Sequence, residues 1–198
     1  MLKKNIFIAA LGMSAFMVSS QSMAKVDFII GAGYDFGGET LVEAYYTNGD
    51  STKVKTGEGL SIFGGVDYFL QDELKLRGTI GYKFSSASAS NGDITFDRFP
   101  LDLLLLKGYG RHQFGVGATY HTGVEYEWDV NSYGFGSNGT VEFEDSLGFI
   151  VHYEYRVPLE NDNAFVIGAR YTQIDYEVKD TDLSYDGSGF GLNLGFTF

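Results

Sequence analysis

His121 and Ser146, with Asp145 beside the serine, are the residues whose types could support covalent chemistry. A histidine base within hydrogen-bond reach of a serine hydroxyl makes a nucleophile that can move or remove an acyl group. No third group can be placed to orient that histidine, so the expectation is a protein without a catalytic centre. His121 and His152 then serve as internal hydrogen-bonders, and His112 lies at the other end of its strand. The chain has no Cys, which excludes a disulfide framework and thiolate metal sites. No ordered Asp spacing of a cation loop is present, so no metal and no cofactor are expected.

Ion pairing is the second chemistry on offer. Lys75, Arg77, Lys83, Arg98, Arg156 and Arg170 recur at alternate positions with Asp35, Asp67, Asp102, Glu154 and His152. Recognition is the third. Glu125, Tyr126, Glu127, Trp128 and Asp129 form an acidic, aromatic stretch in a long connection, where binding residues concentrate.

The elements that position these groups are strands. Eight runs alternate with period two: Val26–Phe36, Gly59–Tyr68, Leu74–Phe84, Arg98–Leu106, His112–His121, Ser146–Arg156, Ala164–Thr172 and Phe190–Phe198. One face of every run is apolar and carries no Asp, Glu, Lys or Arg. The opposite face carries the ionic residues and many glycines, among them Gly31, Gly33, Gly65, Gly115, Gly117 and Gly191.

A soluble barrel or sandwich turns its apolar face inward, and a transmembrane barrel turns it outward. Glycine on a solvated face weakens a strand and packs nothing, whereas inside a narrow barrel it makes room for charged side chains meeting from opposite walls. Aromatics also gather at both sets of strand ends around an aliphatic middle, as in the girdles of a membrane barrel. The connections alternate long and short: Gly37–Glu58, Phe69–Glu73, Ser85–Asp97, Lys107–Arg111, Thr122–Asp145, Val157–Asn163 and Gln173–Ser188. Outer-membrane barrels pair short periplasmic turns with longer outside loops in this way. The predicted fold is all-β, an eight-stranded antiparallel up-and-down transmembrane barrel. Eight strands leave an interior about wide enough for side chains to fill, so the interior charges should pair as a plug.

Two details need local accounts. Pro100 lies inside the fourth run, where its missing N–H predicts a bulge or a later strand start. Val124, Tyr126, Trp128 and Val130, answered by Val141 and Phe143, predict that the third long connection continues above the membrane as a paired hairpin.

The first residues read as an export signal. Lys3 and Lys4 precede an uncharged, mostly apolar run, Ile6–Val18, and Ser22-Met23-Ala24 is a small-x-small cleavage site. Residues 1–24 are therefore expected to be removed, leaving 25–198 as the barrel domain. Without the two signal lysines, 12 basic residues stand against 26 acidic ones, a net of −14. That balance argues against nucleic-acid binding, which wants a basic stripe.

In these features the chain resembles the small eight-stranded outer-membrane barrels of Gram-negative bacteria, the broad family that includes the OmpA transmembrane domain and the Ail/OmpX-type adhesins. The closing stretch, with Phe190, Phe196 and Phe198 on one face, resembles the recognition signal that this family presents to the barrel-assembly machinery. Asn193 stands where the family favours Gly. The resemblance implies an outer-membrane location among lipid and lipopolysaccharide, and a structural or adhesive role carried by four external loops toward an extracellular ligand. The alternatives are a narrow channel for small or apolar solutes and a lipid A-modifying enzyme, since one fold hosts many functions.

Overall fold

A computed structural model describes residues 25–45, 51–89, 92–132 and 135–198. The expected signal peptide, residues 1–24, lies outside them. Eight strands form the wall: β1 (Val26–Gly37), β2 (Gly59–Gln71), β3 (Leu74–Ala89), β4 (Gly92–Tyr109), β5 (His112–Ser132), β6 (Ser146–Pro158), β7 (Ala164–Gln173) and β8 (Gly189–Thr197). Each pairs antiparallel with its chain neighbours, and β8 pairs with β1 to close the cylinder. The closing register runs from Ile29↔Thr197 to Gly37↔Gly189. Reciprocal hydrogen bonds between Phe28 and Phe198, at 2.7 and 3.0 Å, extend it to the last residue. Closure removes the open edges that make an isolated sheet prone to aggregation.

The side-chain alternation decides which face meets lipid. Ile30, Ile62, Leu103, Phe165 and Leu194 are all more than half exposed, as are many of their neighbours around the wall. A contiguous apolar surface of this extent has no place in water; around a cylinder it is the hydrocarbon belt of a membrane barrel. Aromatic pairs flank it. Tyr34–Phe36, Tyr82–Phe99 and Tyr171–Phe190 mark the outer girdle, and Tyr109–Phe114, Phe114–Tyr153 and Phe28–Phe198 mark the periplasmic one.

The predicted second long connection, Ser85–Asp97, is not a loop. β3 and β4 stay paired through Phe84↔Asp97 and Ala87↔Ile94 as far as Ala89↔Gly92. The Ser/Ala-rich sequence has weak intrinsic strand preference, and pairing of Gly92–Asp97 with β5 on the other side overrides it. The third connection does form the predicted hairpin: β5 continues upward and pairs with Phe135–Glu142 from Glu125↔Glu142 onward.

A bulge at the membrane surface changes which face is which. The β4–β5 register steps from Phe99↔Thr122 to Asp97↔Glu125, so Gly123 and Val124 together stand opposite Arg98. Gly123 has φ of 58°, the left-handed conformation that such a bulge needs. Below it the even-numbered residues of β5 face lipid; above it Val124 is buried. The β3 ladder passes from Ile80↔Leu101 to Lys83↔Arg98, so Pro100 sits where that ladder makes no bridge.

Above the wall the external segments pack on one another. Val54, Ala87, Ile94, Phe96, Val124, Phe143, Ile174 and Tyr176 form a single buried apolar cluster. Every one of the four long connections contributes to it. Two short hairpins complete this cap, Thr40–Tyr45 with Ser51–Lys55 and Asp175–Glu177 with Ser184–Asp186.

Candidate functional site

The barrel interior is built in ionic layers. On the periplasmic side β2, β3 and β6 bring together Asp67, Lys75, Arg77, His152 and Glu154. Arg77 binds both carboxylates in fork geometry: Nε and Nη2 donate to Asp67 at 2.6 and 2.9 Å, and Nη1 and Nη2 to Glu154 at 2.6 and 3.1 Å. Lys75 Nζ donates to Asp67 at 2.6 Å, and His152 Nε2 lies 3.1 Å from Glu154. Asp67 and Glu154 have no exposed surface, so each carboxylate depends on these partners for its charge. Bidentate Arg–carboxylate pairs are the strong, geometrically fixed kind.

A second layer lies nearer the outside. Lys83 Nζ is 2.9 Å from Asp35 and donates to the Gly57 carbonyl at 2.8 Å. Arg170 donates to Asp102 at 3.0 Å, and Thr119 donates to the other oxygen of Asp102 at 2.6 Å. A methyl group on Gly191 would overlap the Asp35 carboxylate, so the glycine is what lets that carboxylate stand across the β1–β8 seam. Between the layers a cavity of about 30 Å³ is lined by Asp35, Ser61, Arg77, Asp102, Arg170 and Asn193 among others. That is room for about one water molecule. Leu104, Leu106, Ile150 and Phe63 also face inward, so the filling is part apolar. Arg156 is 3.8 Å from Asp27 at the periplasmic mouth. Asp27 and Phe63 are interior residues that sequence reading missed; both sit at inward positions of the alternation.

Arg98 joins the lumen to the cap. It is fully buried, donates to the Glu58 carbonyl at 2.8 Å and lies over the Phe96 ring at 4.5 Å. Tyr176, also fully buried, sits beside it, and burial pushes its phenol pKa up. Its hydroxyl is 2.6 Å from His121 Nδ1.

His121 and Ser146 are direct cross-strand neighbours on β5 and β6. They do not meet as base and nucleophile: His121 turns to Tyr176, and Ser146 Oγ donates to the Glu144 carbonyl at 3.3 Å.

The loop stretch Glu125, Tyr126, Glu127, Trp128 and Asp129 is strand, and period two divides it. Glu125, Glu127 and Asp129 are exposed on the outer face, while Tyr126 and Trp128 pack beneath against the cap core. The five therefore do not form one contiguous patch. The outer face instead joins Glu125 to its register partners Asp97 and Glu142 and Asp129 to Asp93, with Glu127 between them opposite Thr95 and Thr140. Lys179 pairs with Glu142 at 2.8 Å and holds its carboxyl below the usual range.

Phe190, Phe196 and Phe198 all lie on the lipid side of the seam. Phe196 packs between Phe198 and Phe165, with ring centroids 5.8 and 5.3 Å apart. Among the described residues no cluster of three or more His, Asp or Glu side chains is placed to hold a metal ion.

A closed antiparallel cylinder with a hydrocarbon belt, two girdles and an ionic interior is an integral membrane β-barrel of the outer-membrane type. No protein-family model matches the chain, and no curated protein matches it in sequence. Solved structures do match. Ail, the attachment invasion locus protein of Yersinia pestis, is 14% identical over 88% of this chain and 99% of its own, with a TM-score of 0.50. The outer membrane protein OprG from Pseudomonas aeruginosa is 17% identical over 88% of this chain and 95% of its own, also at 0.50. The chain has the fold of the small eight-stranded outer-membrane barrels of Gram-negative bacteria.

Proposed function

We propose that the barrel is a sealed anchor and that its cap is the working part, with an adhesive or structural role at the cell surface. One observation carries this reading: all four external connections share a single apolar core from Val54 to Tyr176. A core of that kind fixes the cap's outer surface in one shape, which is what a recognition surface requires. The acidic outer face around Glu125, Glu127 and Asp129 suits a basic partner on an extracellular surface. Ail is described by its name as an attachment and invasion protein, and the same use of the fold is proposed here. The belt is proposed to contact outer-membrane lipid and lipopolysaccharide. The β8 aromatics Phe190, Phe196 and Phe198 are proposed to be read by the barrel-assembly machinery.

The test is attachment of bacteria expressing the protein to epithelial cells and matrix proteins. Expression is expected to raise attachment, and Glu125→Gln/Glu127→Gln/Asp129→Asn to remove the gain at equal surface levels. Equal attachment by the variant would overturn the role of that face. The paired ions and the small cavity favour a plug over a channel, so the purified barrel in planar bilayers is expected to give no steady conductance steps.

A further inference from the structure

Between β6 and β7 the barrel wall has a window at the level of the outer girdle. Pairing of the two strands stops at Phe149↔Gln173. Beyond Gln173 the chain leaves the wall: the Ile174 carbonyl accepts from Gly187 N–H at 2.8 Å, its N–H donates to Ser188 Oγ at 3.3 Å, and Asp175–Glu177 pairs with Ser184–Asp186. The two sides meet again where Glu144 N–H donates to the Glu177 carbonyl at 2.8 Å. Asp145–Gly148 therefore border an open cleft of about 580 Å³. On the side away from β5, Ser146–Gly148 present a strip of unpaired sheet edge, about 10 Å long for three extended residues.

The cleft has an apolar floor and an acidic rim. Leu147, at 74% exposure the most exposed large apolar side chain of the described residues, lies in it with Phe149, and Ile174 is buried behind. Glu144, Asp145, Asp175 and Glu177 stand around it, and no Lys or Arg lines it. Tyr120, which pairs with Leu147 across the strands, donates to Asp145 at 2.6 Å. The window thus opens where hydrocarbon gives way to head groups.

Each feature narrows the occupant. A free strand edge takes the backbone of an extended peptide. The floor takes one apolar side chain. The nearest base, Lys179, is already paired with Glu142, so four rim carboxylates face one engaged cation, which disfavours a lipid phosphate and favours Lys or Arg. We propose that this window binds an extended segment of a cationic amphipathic peptide, an apolar residue flanked by basic ones, arriving along the outer leaflet. The proposal rests on the barrel's place in the membrane and not on the adhesive role of the cap.

The experiment uses the folded barrel in phosphatidylcholine nanodiscs and a fluorescent peptide, Lys-Leu-Lys-Leu-Lys, read by anisotropy. Saturable binding is expected, weakened about fivefold by Asp175→Asn/Glu177→Gln. Asp180→Asn/Asp182→Asn removes the same charge elsewhere on the cap and is expected to leave binding unchanged. Leu147→Asn should weaken it too, and Glu-Leu-Glu-Leu-Glu should not bind. Equal binding of the acidic peptide, or equal losses in the two charge variants, would overturn the proposal. So would the absence of saturable peptide binding, whether or not lipid A occupies the window. Cell attachment is measured separately, so loss of the cap's adhesive reading would leave this result standing.

Discussion

His121 on the wall and Tyr176 in the cap meet at 2.6 Å, ring nitrogen to hydroxyl, with both side chains buried. This contact ties the last external connection to the inner surface of β5. It lies directly beneath the apolar core, because Tyr176 also packs edge-on against Phe96 at 5.7 Å between ring centroids. This aromatic ring, together with Arg98 and Lys83, clamps the cap to the barrel.

Tyr176→Ala is predicted to loosen the cap and leave the barrel folded. Losing a buried aromatic costs about 3–5 kcal/mol, and Tyr176→Phe, which loses the hydrogen bond alone, about 1–2 kcal/mol. Limited proteolysis of intact cells reads the difference. Cleavage between residues 174 and 188 should become fast in the alanine variant, while the wall keeps its heat-modifiable migration on gels.

In the lumen, Glu154→Ala should be more damaging than its size suggests. It leaves Arg77 with one carboxylate and His152 without its acceptor, and removing one partner of a buried network costs about 3–5 kcal/mol. Urea unfolding in lipid vesicles, followed by heat-modifiable migration on gels, measures the loss. Replacing the layer together, Asp67→Asn/Lys75→Met/Arg77→Met/Glu154→Gln, should recover part of it, since no charge is then left unpaired.

The wall was legible because its alternation is local. Ile30, Ile62 and Leu103 declare the lipid face within their own strands, and Asp67, Arg77 and Glu154 declare the inner one. The cap was less legible because its core is assembled across long separations. Ile94 and Phe96 alternate, as do Ile174 and Tyr176, so a signal existed. Nothing local says that these pairs face one another. The Ser/Ala run before residue 90 hid the upward extension of β3, and Gly123 hid the change of face that buries Val124 and turns Glu127 outward.

Acid should act at the window through Asp145. The hydrogen bond from the Tyr120 phenol holds the Asp145 carboxyl below its ordinary value. A depressed folded value means the contact stabilises above the unfolded carboxylate range, near pH 4, and its contribution fades as pH falls through the folded value. Tyr120→Phe removes the main cause, so the Asp145 titration should move upward. Carboxyl chemical shifts of the barrel in nanodiscs, followed from pH 6 to pH 2, would show no such movement if Tyr120 and Asp145 were not in contact.

Gly123 tests whether the bulge sets the cap's orientation. Its φ of 58° is strained for any residue with a Cβ, and the Phe99 ring lies 3.1 Å from where that atom would stand. Gly123→Val is therefore predicted to cost about 1–3 kcal/mol. Deleting Gly123 outright separates the bulge from the change of face. Thr122 then adjoins Val124, and plain alternation carried up from the lipid-facing Tyr120 still turns Val124 inward and Glu125 outward, with Val124 opposite Arg98. The deletion variant should therefore insert, close and keep its cap, because no residue above the bulge changes face. Trp128 emission should stay where it is, and residues 124–142 should resist added protease. A red-shifted Trp128 emission with rapid cleavage of that stretch would show that the bend of the bulge itself, and not the alternation alone, sets the cap's orientation.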